Sequence, residues 1–123
     1  MKMKKILLVD DEVALTRMTK LVLERTGKYE VLTENNGSKA VAAVRKFRPD
    51  IIFLDIMMPE MSGDVIAQEL REDKELADIP IVFLTAIVSR TETKTLGSVI
   101  GGNQFLAKPV KADDMLKVIE ELT

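Results

Sequence analysis

Cysteine and histidine are both missing from this sequence. Without cysteine there are no disulfides, no thiolate catalysis and no Cys-ligated zinc. Without histidine there is no Ser-His-Asp triad and no imidazole metal ligand. Any bound metal must be held by oxygen, which favours Mg²⁺, Ca²⁺ or Mn²⁺ over zinc or copper. Covalent chemistry is left to Asp, Glu, Lys, Ser, Thr or Tyr. A basic stripe of the kind that binds nucleic acid is also lacking: Lys and Arg are scattered and the formal net charge is −2. No apolar run approaches membrane-spanning length, so no membrane partner is expected. The apolar stretch behind the N-terminal lysines, Ile6 to Val9, is too short for the core of a signal peptide and reads as a buried first strand. The expected location is the cytoplasm.

What is present is one domain's worth of chain, 123 residues with 46% apolar and 31% charged side chains. That is enough to bury a core, and no linker, repeat or low-complexity tract divides it, so residues 1–123 are read as a single domain. Ile6 to Val9, Ile51 to Leu54 and Ile79 to Leu84 lack polar alternation, as expected of strands covered on both faces. Phe105 to Ala107 is a shorter run of the same kind, and Tyr29 to Thr33 alternates like a strand nearer an edge. Helical patterns fill the gaps. Leu15, Met18 and Val22 recur at i, i+3, i+7, with Gly27 as a stop. Asn36-Gly37-Ser38 opens a second helix with Val41, Val44 and Phe47 inward and Pro49 beyond its end. Ser62 can cap a third that carries Ile66 and Leu70. Ser89 to Glu92 fits a capping box before a fourth, poor in helix formers. The last runs from about Ala112 to Leu122, with Met115, Ile119 and Leu122 on one stripe.

Five βα units predict an α/β fold: a three-layer αβα, flavodoxin-like, doubly wound five-stranded parallel sheet with strand order 2-1-3-4-5. In such sheets the functional crevice lies beyond the carboxyl ends of the strands. Those ends carry Asp10-Asp11-Glu12, Asp55, Thr85 and Lys108-Pro109. Alone, each has an ordinary explanation as a helix cap, a turn, a strand end or a solvated lysine. Their joint placement points to a site: two carboxylates about 4 Å apart repel by about 4 kcal/mol at an effective dielectric of about 20, so gathering several is costly unless something positive sits among them. Lys108 supplies one compensating charge and an oxygen-liganded dication would supply two. A carboxylate nucleophile, a cation and a lysine are also what phosphoryl transfer needs.

The segments LLVDDE, LDIMMPEMSG, FLTA and FLAKPV, in that order and spanning nearly the whole chain, resemble the response-regulator receiver domains of two-component signalling. The resemblance implies that Asp55 is the phosphoacceptor. It implies that Asp10 and Asp11 bind Mg²⁺, with Asp11 the preferred direct ligand, Glu12 a neighbour of lesser claim and Mn²⁺ a possible substitute. Met57 would add its backbone carbonyl to the metal. Thr85 would be the switch hydroxyl, Ala86 the small residue that leaves the phosphoryl group room, and Lys108 the partner of a phosphoryl oxygen. Pro59 and Gly63 would shape the loop beside the acceptor, Lys108-Pro109 would be a cis peptide, and Phe105 would be the switch aromatic. Gly97, Gly101 and Gly102 stand where alanines are more usual in the family, and Val110 where an aromatic is common.

The expected function is therefore a phosphorylation switch rather than a turnover enzyme. A histidine kinase, a phosphotransfer protein or a small phosphodonor would phosphorylate Asp55. The surface made by the fourth helix, the fifth strand and the fifth helix would then act on a protein target or a fused output domain, as a monomer or a phosphorylation-linked dimer. Two other readings compete. A pseudo-receiver would keep the fold and bind a partner without phosphorylation. A haloacid-dehalogenase-like phosphatase would use Asp10 as nucleophile, although the chain shows no insert to cover a substrate.

Overall fold

The computed structural model describes residues 3–59, 61–85, 99–100 and 103–123. In chain order the elements are β1 (Lys4–Val9), α1 (Val13–Glu24), β2 (Tyr29–Glu34), a 3-10 turn (Gly37–Lys39), α2 (Ala40–Phe47), β3 (Ile51–Asp55), α3 (Gly63–Glu72), β4 (Ile81–Thr85), β5 (Val99–Ile100), β6 (Asn103–Ala107) and α4 (Ala112–Leu122). The sheet order is β2-β1-β3-β4-β6-β5. Its first five members are parallel and give the expected 2-1-3-4-5 sequence of strands. The two-residue β5 is an addition, antiparallel on the outer edge of β6. The expected fourth helix and Ala86 lie outside the described residues.

The unbroken apolar strands are explained by the two cores they serve. Leu7, Val9, Ile52, Leu54, Ile81, Phe83 and Phe105 face one layer, where Ala40 and Val44 of α2 and Ile66, Ala67 and Leu70 of α3 pack on them. Ile6, Leu8, Ile51, Phe53, Val82 and Leu84 face the other, with Leu23 of α1 and Met115, Val118 and Ile119 of α4. Successive side chains of a strand alternate between faces, so a strand buried on both sides needs an apolar residue at every position. Strand β2, at the edge, alternates as expected: Tyr29 and Val31 are buried, Glu30 and Leu32 exposed.

Helix ends follow local chemistry. Asn36 Oδ1 accepts the Ser38 amide at 3.0 Å and starts the turn into α2, which closes on Arg48 in the left-handed region, φ 53°. Gly27, with φ 78°, makes the turn into β2. Ser62 stands at the N-cap of α3 without a side-chain capping bond. Strand β4 starts at Ile81 rather than Ile79, because the Ile79 amide is still bonded to Leu76 in the preceding turn.

Helix α1 is rotated relative to its apolar stripe. Thr16 and Leu23 are its buried residues, while Met18 is 67% and Leu21 58% exposed, and Leu15 and Val22 are also on the outside. The inner position goes to Thr16, whose hydroxyl donates to the Val13 carbonyl at 3.0 Å and accepts from Asn35 Nδ2 at 2.9 Å. A polar anchor thus sets the rotation that the hydrophobic spacing alone would have set differently.

Gly63 is the tightest point between a helix and the functional edge. A Cβ there would fall on the backbone of Asp55 and within 2.9 Å of the Ile56 Cα, while the Gly63 amide bonds the Ile56 carbonyl at 2.9 Å. Backbone cannot yield as a side chain can, so Gly63→Ala should destabilise the domain by about 1–3 kcal/mol, the usual cost of overpacking. Urea denaturation reads this directly, and an unchanged midpoint would count against the close approach.

Candidate functional site

The carboxyl ends of β1, β3, β4 and β6 bring Asp10, Asp55, Thr85 and Lys108 to one edge. Each is fixed by the ladder of its own strand. The Asp10 amide bonds the Glu34 carbonyl at 3.1 Å, the Ile56 amide bonds Leu84 at 3.1 Å, and the Lys108 amide bonds the Thr85 carbonyl at 2.8 Å. Asp10, Asp55 and Thr85 are all buried. These are polar groups where the strand pattern otherwise demands apolar ones, so they must be satisfied by one another or by a ligand.

Lys108 meets most of that demand. Its Nζ lies 2.8 Å from Asp10 Oδ2, 3.3 Å from Asp55 Oδ2 and 3.3 Å from Glu12 Oε1. Asp55 Oδ1 accepts the Met57 amide at 3.2 Å, and Asp10 Oδ1 accepts the Glu12 amide at 3.0 Å. Asp10 Oδ2 is buried and accepts no hydrogen bond of regular geometry, having only its ion pair with Lys108. Oxygens of Asp10, Asp11 and Asp55 come within 4.8 Å of one another, Asp11 from an exposed position. Three converging carboxylates, two of them buried, suit a hard cation such as Mg²⁺.

Around this centre, Met57 and Pro59 are exposed and Gly63 is buried, and the Lys108–Pro109 peptide is cis. Phe105 is 2% exposed, opposite Phe83 in the β4–β6 register. Two participants had drawn little or no attention in the sequence. Glu12 reaches Lys108 from the rim. Asn35, just past β2, donates to the Asp10 carbonyl at 2.8 Å as well as to Thr16. The second was within reach of sequence reasoning, since the end of β2 lies at the same edge as the ends of its parallel neighbours.

The family model for the response regulator receiver domain matches residues 6–120. The chain belongs to the response regulator receiver domain family. It is 37% identical over 119 residues to Protein PilH of Pseudomonas aeruginosa, covering 95% of each chain. It is 35% identical over 120 residues to the DNA-binding dual master transcriptional regulator RpaA of Synechocystis, covering 98% of this chain and 49% of that one. The chain thus spans about half the length of RpaA and of the ycf27 transcriptional regulators it also matches. The chemotaxis protein CheY4 of Vibrio cholerae superposes with a TM-score of 0.83 at 33% identity, over 99% of this chain and 100% of that one. Receiver domains are signalling domains of two-component systems, and an acidic pocket that binds Mg²⁺ is typical of them.

Electrostatics in this receiver domain's site are set first by burial and then by the acidic pair. Burial, and then the charge of Asp10, push the Asp55 carboxyl up to about 6, although Lys108 and the Met57 amide pull the other way. For Lys108, burial works against the charged form, but Asp10, Asp55 and Glu12 outweigh it and hold the ammonium well above its ordinary range. The consequence for stability follows from linkage. The folded value for Asp55 lies above the carboxyl's ordinary 3.8. As pH rises, the unfolded chain therefore releases this proton first, and stability is lost between about pH 4 and pH 6. Without divalent metal, Asp55→Asn should be more stable than wild type at neutral pH. That gap should close as pH falls toward 4. Denaturant melts in chelator at several pH values measure it, and a gap that widens at low pH would contradict the assignment.

Proposed function

We propose that Asp55 is the phosphoacceptor of a two-component switch, and that residues 1–123 act as one domain to carry it. The observation that carries this reading is the convergence of Asp10, Asp55 and Lys108 on one buried edge, with Asp10 Oδ2 held by the Lys108 ammonium at 2.8 Å. Asp10 and Asp11, with Asp55 and the Met57 carbonyl, would hold Mg²⁺, with Mn²⁺ as a substitute. The cation supplies positive charge for the phosphoryl oxygens. An Asp55 carboxylate oxygen attacks the phosphorus of a donor phosphohistidine or acetyl phosphate. The new oxygen–phosphorus bond forms as the donor's bond to phosphorus breaks, and the leaving group keeps the electron pair. Asp55 Oδ2 already faces Lys108 Nζ at 3.3 Å, so the lysine stands ready beside the group that forms there. The Met57 amide on Oδ1 fixes the rotation of the carboxylate.

The new phosphoryl group carries about −1.5 to −2 charges at neutral pH. It draws the Thr85 hydroxyl. Thr85 lies two register steps from Phe83, the partner of Phe105, so its movement acts on the packing of the ring. Phe105 is already inside in this structure, which makes repacking of a buried ring the motion to look for. The affected surface would include β6 and α4. The domain acts as a switch and not as a turnover enzyme. Its partners would be a cytoplasmic histidine kinase or phosphotransfer protein and, downstream, a protein target or fused output domain. Among the described residues no helix is long and apolar enough to cross a membrane. The relatives include both transcriptional regulators twice this length and PilH, which the chain covers almost completely, so neither output arrangement is favoured.

Incubation with Mg²⁺ and acetyl phosphate should add a single labile phosphoryl group by intact mass. Asp55→Ala should abolish it. An adduct that survives Asp55→Ala, especially one lost in Asp10→Ala, would falsify the assignment in favour of a phosphatase-like nucleophile. Failure with acetyl phosphate, phosphoramidate and beryllofluoride alike would favour a phosphorylation-independent binding module.

A further inference from the structure

Building on the Mg²⁺ reading of the acidic edge, we infer that Asn35 is a positioning residue for the cation site: its side-chain amide holds the peptide from which Asp11 reaches the metal. The need for it arises where two parallel strands part. Along β1 and β2 the ladder runs in steps of two, from the Lys4 amide on the Lys28 carbonyl to the Asp10 amide on the Glu34 carbonyl, both at 3.1 Å. In a parallel ladder the next bond would run from the Asn36 amide to the Asp10 carbonyl. The chain turns away at that point, and the Asn36 amide bonds Glu34 Oε2 at 3.0 Å instead. The carbonyl of Asp10, a residue only 1% exposed, would be left without a partner, which is costly for a buried backbone group. Asn35 Nδ2 takes that place at 2.8 Å.

The residue type suits the task. An amide nitrogen of this kind carries two hydrogens, and the second bonds Thr16 Oγ1 of α1 at 2.9 Å. The Thr16 hydroxyl gives its own hydrogen to the Val13 carbonyl, so its oxygen is turned to accept. Asn35 is thereby aimed from two sides, by the end of β1 and by the helix that follows it. What it fixes is the Asp10–Asp11 peptide. Asp10 and Asp55 each have one carboxylate oxygen on a backbone amide, that of Glu12 and that of Met57. Asp11 has no such support: its side chain makes no hydrogen bond or ion pair among the described residues. It is exposed, and its oxygen comes within 4.8 Å of those of the other two. The direction in which Asp11 leaves the chain is therefore set by the backbone alone, and Asn35 is the side chain that holds that backbone. A tilt of this peptide would carry the Asp11 carboxylate away from the point where the three oxygens meet.

The test separates the two bonds of the one amide. Mg²⁺ affinity is read by calorimetry on the unphosphorylated protein, and stability by urea melts in chelator. Asn35→Ala should weaken Mg²⁺ binding by about tenfold, the lower end of what losing an outer partner does to a metal site. Thr16→Val removes the other bond and leaves the Asp10 carbonyl its donor. Its Mg²⁺ affinity should stay close to the wild-type value, whatever the change does to the urea midpoint. Unchanged affinity in Asn35→Ala, or an equal loss in Thr16→Val, overturns the proposal, because a merely structural role moves the midpoint and not this contrast. A Mg²⁺-bound crystal structure of the wild type gives a second check that does not depend on the variants folding. Nδ2 should remain on the Asp10 carbonyl with Asp11 on the metal; an amide that has left that carbonyl overturns the role. Wild-type protein that binds no Mg²⁺, or binding that survives both Asp11→Asn and Asp55→Asn, would instead sink the metal-site reading itself, and the Asn35 role with it.

Discussion

Two carboxylates buried side by side at the end of a parallel sheet repel each other, and the rest of the functional edge answers that repulsion. Asp10 and Asp55 belong to neighbouring strands whose register is fixed by pairs from Ile6↔Ile51 to Val9↔Leu54. Neither can retreat without breaking the ladder. Lys108 enters from two strands away, held by its amide bond to Thr85, and places its ammonium between them. Burial, and then the charge of Asp10, outweigh that one ammonium and leave the Asp55 carboxyl raised. The site is therefore folded around a shortage of positive charge, and a dication is the natural remedy.

That shortage makes the supporting shell matter. Amides of Met57 and Glu12 each hold one oxygen of an acidic residue, which leaves the other oxygens turned to Lys108. Asn35 links the Asp10 carbonyl to Thr16 and so ties the acidic edge to the rotation of α1. Gly63 lets α3 approach the backbone of Asp55 more closely than any side chain would permit. These contacts resist rearrangement of the carboxylates, so the repulsion is kept as a demand for a cation rather than relieved by a shift of the chain.

The strands and the parallel order were legible because burial on both faces leaves an unmistakable mark, an apolar residue at every position. The site was legible for a related reason: in a parallel sheet, all strand ends of one sense share an edge, so residues distant in sequence could be gathered without coordinates. The orientation of α1 was not legible. Its spacing of Leu15, Met18 and Val22 is a good helix signal, but spacing says only that the residues share a face, and the Thr16–Asn35 bond decides which face turns inward. The short β5 left no trace, since two residues carry no periodicity. Glu12 was visible as a neighbour but not as a partner of Lys108, because that contact depends on how far two long side chains reach.

Charge balance explains why such a site can act as a switch in the reading proposed for it. Asp10, Asp11 and Asp55 bring three negative charges, with Glu12 a fourth at the rim, against one on Lys108, and a dication would offset most of the remainder. Phosphorylation of Asp55 replaces a single negative charge with one approaching −2, so the balance is broken again at the same atom. The groups still able to respond are the ones that can move: the ammonium of Lys108, on its flexible stem, and the hydroxyl of Thr85, one residue past the register partner of Asp55. Lys108 is anchored through β6 and Thr85 through β4, and Phe83 and Phe105 face each other between those same strands. In that reading a charge imbalance at one carboxylate would be converted into a packing change on the β4–β6 side of the sheet, which is where a partner would have to read it.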